Sequence, residues 1–159
     1  MALNTAGIAT AIAALSVSGV TIKNITGLPK SFTKGDCPVF FPHPDEWFLG
    51  TISEPGRDGQ WVGQTNVFDA VRRFRYIYLH GLSIAANPMS TVYSAMAAKV
   101  DLLYSAIAGM NTSSGVLTVR SINVSEFGSI VAPAAGISQT RNIFFGCFFE
   151  IEILEQSSS

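Results

Sequence analysis

From Ile143 to Glu155 one set of alternate positions reads Ile143, Phe145, Cys147, Phe149, Ile151 and Ile153, and the other Phe144, Gly146, Phe148, Glu150, Glu152 and Leu154. Successive strand side chains point to opposite faces, so this segment is apolar on both faces for its first half and on one face for the rest. That pattern predicts a strand in the middle of a sheet or under a partner subunit. Gln64 to Leu82 reads as a second long strand, with Phe74, Tyr76 and Tyr78 on one face and Arg73, Arg75, Ile77 and Leu79 on the other. Two stretches carry a helical period instead. Thr5 to Val17 places Ile8, Ile12 and Leu15 on one face, and Gly19 stands where a left-handed cap is wanted. Asn87 to Ala108 places Val92, Met96, Val100, Leu103 and Ile107 in one stripe, widened by Tyr93 and Tyr104. Asn87-Pro88 starts this helix and Gly109 stops it.

The remaining segments are shorter. Val20 to Ile25 and Asp36 to Pro42 alternate as strands, and the prolines at the ends of the second mark strand boundaries or an edge. Trp47 to Gly63 reads as a β-hairpin with a loop near Glu54 to Gly59. Ser114 to Ser125 is a further strand, with Val116, Ile122 and Val124 on one face. Glu126-Phe127-Gly128 is read as a turn, and Ser129 to Thr140 as a connection without period. The order α-β-β-(β-hairpin arm)-β-α-β-β predicts an α+β fold, mainly antiparallel sheet flanked by two helices, with a projecting arm over about 47–75. Residues 1–155 form one domain in this reading, and 156–159 a flexible tail.

Composition changes the picture in one respect. Charged residues make up 13% of the 159, about half of the ~25% of soluble domains. A chain so poor in charge is expected to hide part of its surface in a permanent assembly, since obligate interfaces resemble a core cut in half. The net charge of -1 leaves no basic footprint for tight nucleic-acid binding. Cys37 and Cys147 are too few for a disulfide scaffold and are read as buried free thiols. The apolar N-terminus has no basic residue before Lys23, which argues against an export signal. No uninterrupted apolar run is long enough for a membrane span, and the sequons at Asn24, Asn111 and Asn123 carry no weight without secretion.

No catalytic constellation stands out. His43, beside Asp45 and Glu46 on a proline-locked loop, has no partner spaced to complete a metal set, and His80 is read as a turn residue. There is no Gly-x-Ser-x-Gly elbow and no phosphate-binding glycine loop. Glu150 and Glu152 are read as a solvated or lumen-facing pair rather than an acid and base. Neither enzyme activity, cofactor nor metal is expected. Arg72, Arg73 and Arg75 with Phe74, Tyr76 and Tyr78 form a basic-aromatic cluster that could stack on single-stranded nucleic acid. A core face backed by arginines that reach carboxylates of a neighbour is the preferred reading. The candidate inter-subunit residues are Phe48, Trp61, Arg73, Arg75, Phe144 and Phe148.

Three stretches taken together carry a resemblance: the opening helix into Val20-Thr21-Ile22-Lys23-Asn24-Ile25-Thr26-Gly27-Leu28-Pro29, the strand Asp36-Cys37-Pro38-Val39-Phe40-Phe41-Pro42, and Val124-Ser125-Glu126-Phe127-Gly128 before the closing strand. In the order of its elements the chain resembles the tail terminator (tail completion) proteins of long-tailed bacteriophages. The Trp61-bearing arm and the terminal serines match no part of that pattern. The resemblance implies a homo-oligomeric ring, a hexamer, at the head-proximal end of the tail tube. Such a ring ends tube polymerisation, contacts the tail tube protein on one side and the head-completion or connector protein on the other, and lets DNA pass through its lumen without sequence-specific contact. It implies a virion protein of the tail or neck, assembled in the host cytoplasm. The alternatives are another neck or tail subunit, such as a head-completion or tube protein, and a small-ligand module or enzyme.

Overall fold

A computed structural model of the chain describes residues 5–29, 31–55, 68–83, 88–110, 117–131 and 143–155. Helix α1 (Thr5–Ala13) is followed by strands β1 (Thr21–Ile22), β2 (Val39–Pro42), β3 (Phe48–Pro55) and β4 (Phe68–Leu82). Helix α2 (Met89–Ala108) and strands β5 (Leu117–Val131) and β6 (Ile143–Glu155) complete the order. The strands form one sheet, β1-β2-β4-β6-β5, with β3 also on β4. Every pairing is antiparallel except β1 with β2. The fold is α+β, as the alternation and helical periods predict.

β6 lies between β4 and β5, and its two faces sort as the sequence pattern requires. Phe145, Cys147, Phe149, Ile151 and Ile153 join Phe74, Tyr76 and Tyr78 of β4 beneath the helices, where Ile8 and Ile12 of α1 and Met96, Val100, Leu103 and Ile107 of α2 meet them. Both helices thus cover the same face. Phe40 of β2 stacks on Tyr76 and meets Phe149 edge-on, at centroid distances of 5.0 and 5.1 Å. Full burial of each such side chain is worth about 1.5–3 kcal/mol, so this layer supplies most of the driving force. On the opposite face Val39, Phe41, Ile77, Leu79, Ile130 and Phe144 form a second cluster. Phe32, from the segment joining β1 to β2, closes over it and stacks on Phe41 at 4.0 Å.

Several elements differ from expectation. α1 ends at Ala13, and Gly19 is not its cap. It sits at φ 73 in a turn closed by Val20 N donating to Val17 O, the left-handed third position of a type II turn. Glu126-Phe127-Gly128 does not turn the chain. β5 runs on to Val131, and one extra residue is absorbed by a bulge between Ser125 and Gly128, where Glu126, at φ 54, and Phe127 stand against a single residue of β6. Ser129, read as the start of a loop, is therefore in the strand, and residues 132–142 lie outside the described residues. Tyr93 and Tyr104 do not widen the buried stripe of α2; both rings are exposed. Val92 is half-buried, and the other four stripe residues are buried.

The hairpin expected over 47–75 is present as β3 and β4. Its paired part belongs to the sheet, because β4 carries β3 on one edge and β6 on the other from Ala70 to Phe74. Its tip, residues 56–67 with Trp61, lies outside the described residues, as do Asn87, Asn111, Val116 and the tail 156–159. Cys147 is buried and Cys37 half-buried, and both are free thiols. Burial pushes the Cys37 thiol up to about 11, helped by Asp36, and the Cys147 thiol up to about 12.

Candidate functional site

The face of the sheet turned away from the helices changes character along β4. Ile77 and Leu79 lie in the closed apolar cluster, whereas Arg73 and Arg75 lead into a polar patch. The ladder sets Arg73 opposite Glu152 and Arg75 opposite Glu150, and sets Ser121 and Asn123 of β5 on the far side of the same two glutamates. Two rows of polar side chains therefore cross three strands. Arg73 Nε lies 3.3 Å from Glu152 Oε1 and its Nη2 3.9 Å from Glu150 Oε2, with all three side chains about one-third exposed. At that exposure each pair is worth at most ~1 kcal/mol, so the patch organises charge rather than stabilising the fold. Arg75 Nη1 donates to Glu46 Oε2 at 2.6 Å, and its guanidinium lies over the Phe148 ring at 4.7 Å.

Both candidate arginines thus reach carboxylates of their own chain. Three carboxylates against two guanidinium groups leave the patch one negative charge in surplus, which disfavours a phosphate backbone. The aromatics of the cluster point elsewhere. Phe74, Tyr76 and Tyr78 are fully buried beneath the helices and offer no platform for a base. Arg72 joins them on that face, donating to Thr5 Oγ1 at 2.9 Å. As the preferred reading of this cluster expects, the aromatics are core and the Arg73/Arg75 pair lies on the opposite side of the strand.

The other candidate residues fall into two groups. Phe144 is fully buried in the second cluster, and Phe148 is half-buried between that cluster and Arg75. Phe48, on the outermost strand, is 43% exposed, with its ring 5.7 Å from Phe74. Ile52 on the same strand is 51% exposed and carries no mark in the sequence pattern; among the described residues β3 has β4 on one side only. From Phe48 to Ser53 this strand carries no charge. Among the described residues β5 is the opposite edge, paired only with β6. The outer surface of α2 adds Tyr93, Leu102 and Tyr104, and Lys99 and Asp101 are the only charged residues in that helix. Tyr93 meets Phe127, carried on the β5 bulge, edge-on at 5.5 Å.

The two histidines are engaged in hydrogen bonds. His80 Nδ1 lies 2.7 Å from the Tyr78 hydroxyl, and His43 Nδ1 accepts from the backbone of its own turn. Burial lowers the His80 imidazole below its ordinary range, with Lys99 acting in the same direction. Among the described residues no group of three or more His, Cys, Asp or Glu is placed to hold a metal ion, and no helix is long and apolar enough to cross a membrane. What the arrangement can do is associate. Among the described residues β3 and β5 each pair on one side only, exposed apolar side chains lie beside β3, and a polar patch with one surplus negative charge lies between them. A scan against protein-family models gives no match, and a search of curated proteins gives none.

Proposed function

We propose that this chain is a structural subunit of a long-tailed bacteriophage, forming a closed ring of six copies at the head-proximal end of the tail tube. The ring ends tube polymerisation and joins the tail to the head connector, and DNA passes through its lumen. The observation that carries the reading is that β3 and β5, among the described residues, each pair on one side only. Across β3-β4-β6-β5 every neighbour is antiparallel, so β3 and β5 run in opposite directions. Placing β3 of one copy beside β5 of the next continues the alternation, and a head-to-tail contact of this kind closes into a ring when the rotation fits. Soluble proteins blunt their edges with charge, proline or bulges. β3 has one bulge near Gly50 but no charge before Glu54, and it carries Phe48 and Ile52 outward. The low overall charge and the resemblance in element order point the same way.

Ile52→Lys tests this reading. The side chain is exposed, so the substitution is expected to change stability by no more than about 0.5 kcal/mol. A lysine on the edge opposes strand addition, and the variant is expected to fail to cap tubes, giving overlong or headless tails in an assembly assay. Normal particles from a folded Ile52→Lys protein would count against a capping role for this edge.

A further inference from the structure

Between β2 and β3 the chain leaves the edge of β4 and returns to it around a single residue. His43 N donates to Arg75 O at 2.9 Å, and Arg75 N donates to Trp47 O at 2.8 Å. The ladder therefore runs on through Arg75 while Pro44, Asp45 and Glu46 stand out as a turn. One side chain accepts from two of its amides. His43 Nδ1 accepts from Asp45 N at 3.2 Å and from Glu46 N at 3.0 Å. An imidazole nitrogen accepts only through an unprotonated lone pair, so this geometry requires the neutral ring with its proton on Nε2. The ring stacks against Phe148 of β6 at 6.2 Å. The charged groups around it are Asp45 and Glu46 in the turn, Arg75 from β4, and Glu150, which stands opposite Arg75 on β6. Glu46 is already bound to Arg75.

We propose that His43 is an acid-operated latch on the joint between β2 and β3. A solvent proton taken up on Nδ1 occupies the lone pair, and both amides lose their acceptor at once. It also places a cation beside the Arg75 guanidinium. The turn is then held only by its two ladder bonds and the Glu46 ion pair, all on Arg75, and the entry of β3 to the sheet edge loosens. Burial holds the ring below its ordinary value of 6.5; Glu46 opposes this, Arg75 adds to it and Asp45 opposes it. The native state thus binds the proton less readily than the unfolded chain. The stability contributed by the turn is complete above 6.5 and is lost as the pH falls through the lowered folded value. His80 is no substitute, since its Nδ1 faces the Tyr78 hydroxyl rather than backbone amides.

Amide NMR of the full chain, titrated downward from neutral pH, tests the latch. The Asp45 and Glu46 amide signals are expected to move with the His43 ring, with one midpoint below 6.5, and to lose protection from exchange by up to about tenfold per pH unit as the pH falls from 6.5 to that midpoint. His43→Asn supplies the second arm. Its side-chain oxygen accepts the same type of backbone hydrogen bond in an Asx turn and does not titrate, so both signals should hold steady over the same range. Amides that stay fixed while the wild-type ring titrates overturn the proposal. So does an unchanged transition in His43→Asn, which would assign it to the carboxylates of Asp45 and Glu46.

Discussion

Gly146→Ala is expected to cost the protein about 3 kcal/mol or more, enough to remove much of the stability of a domain of this size. Gly146 lies mid-way along β6, opposite Leu79 of β4 on one side and Gly128 of β5 on the other. A Cβ added there would run into the backbone carbonyl oxygen of Tyr78 and stand 2.9 Å from Ile130 Cδ1. The methyl of Ile130 can rotate aside; the carbonyl cannot. Tyr78 is locked by its ladder partners Phe40 and Cys147, and its ring is buried with its hydroxyl on His80. Relief requires the central strands to separate, which opens both cores at once. Gly81→Ala is the control, because nothing lies within 4 Å of its added Cβ, and it should cost less than about 1 kcal/mol. Denaturant midpoints compare the three proteins. A Gly146→Ala midpoint equal to that of Gly81→Ala would show that β4 and β6 do not approach as closely as described.

Leu103→Ala is expected to cost ~2–5 kcal/mol, as truncations of buried leucines do. Leu103 is fully buried in the layer where α2 meets Phe149 and Ile151. Its neighbour Tyr104 is 46% exposed, and Tyr104→Ala should stay within about 0.5 kcal/mol of wild type. The pair therefore fixes the rotation of α2 on the sheet. If Leu103→Ala melts with the wild type, the helix turns another face inward.

This register was legible in the sequence because both periods are local. A helical stripe at i, i+4 and i+7 and a strand alternation each name a face without knowledge of any partner. Hence the α2 stripe and the two faces of β6 read correctly. Tyr93 and Tyr104 were misplaced because they flank that stripe, and the width of a buried stripe depends on what lies beneath it. Glu126-Phe127-Gly128 looked like a turn because its residues suit one. The long ladder of β5 on β6 resumes at Gly128 and turns the same residues into a bulge.

The polar patch was half legible. Arg73 and Arg75 two apart on one strand and Glu150 and Glu152 two apart on another are charge pairs of opposite sign at strand spacing. That signal could have placed β4 beside β6 in register. Glu46 carried no comparable signal, since its contact with Arg75 arises only because β2 and β3 share one edge of β4 and the chain jumps a single residue between them. Ile52 was missed for the same reason: exposure on an edge strand is set by strand order, not by local pattern.

Assembly is the claim on which the functional reading rests, and the mass of the purified chain in solution measures it most directly. Light scattering coupled to size exclusion, at micromolar concentration and moderate salt, should return one species of six times the 17.0 kDa chain mass. Ile52→Lys should return the 17.0 kDa monomer. A monomer for the wild-type chain across that concentration range would contradict the ring.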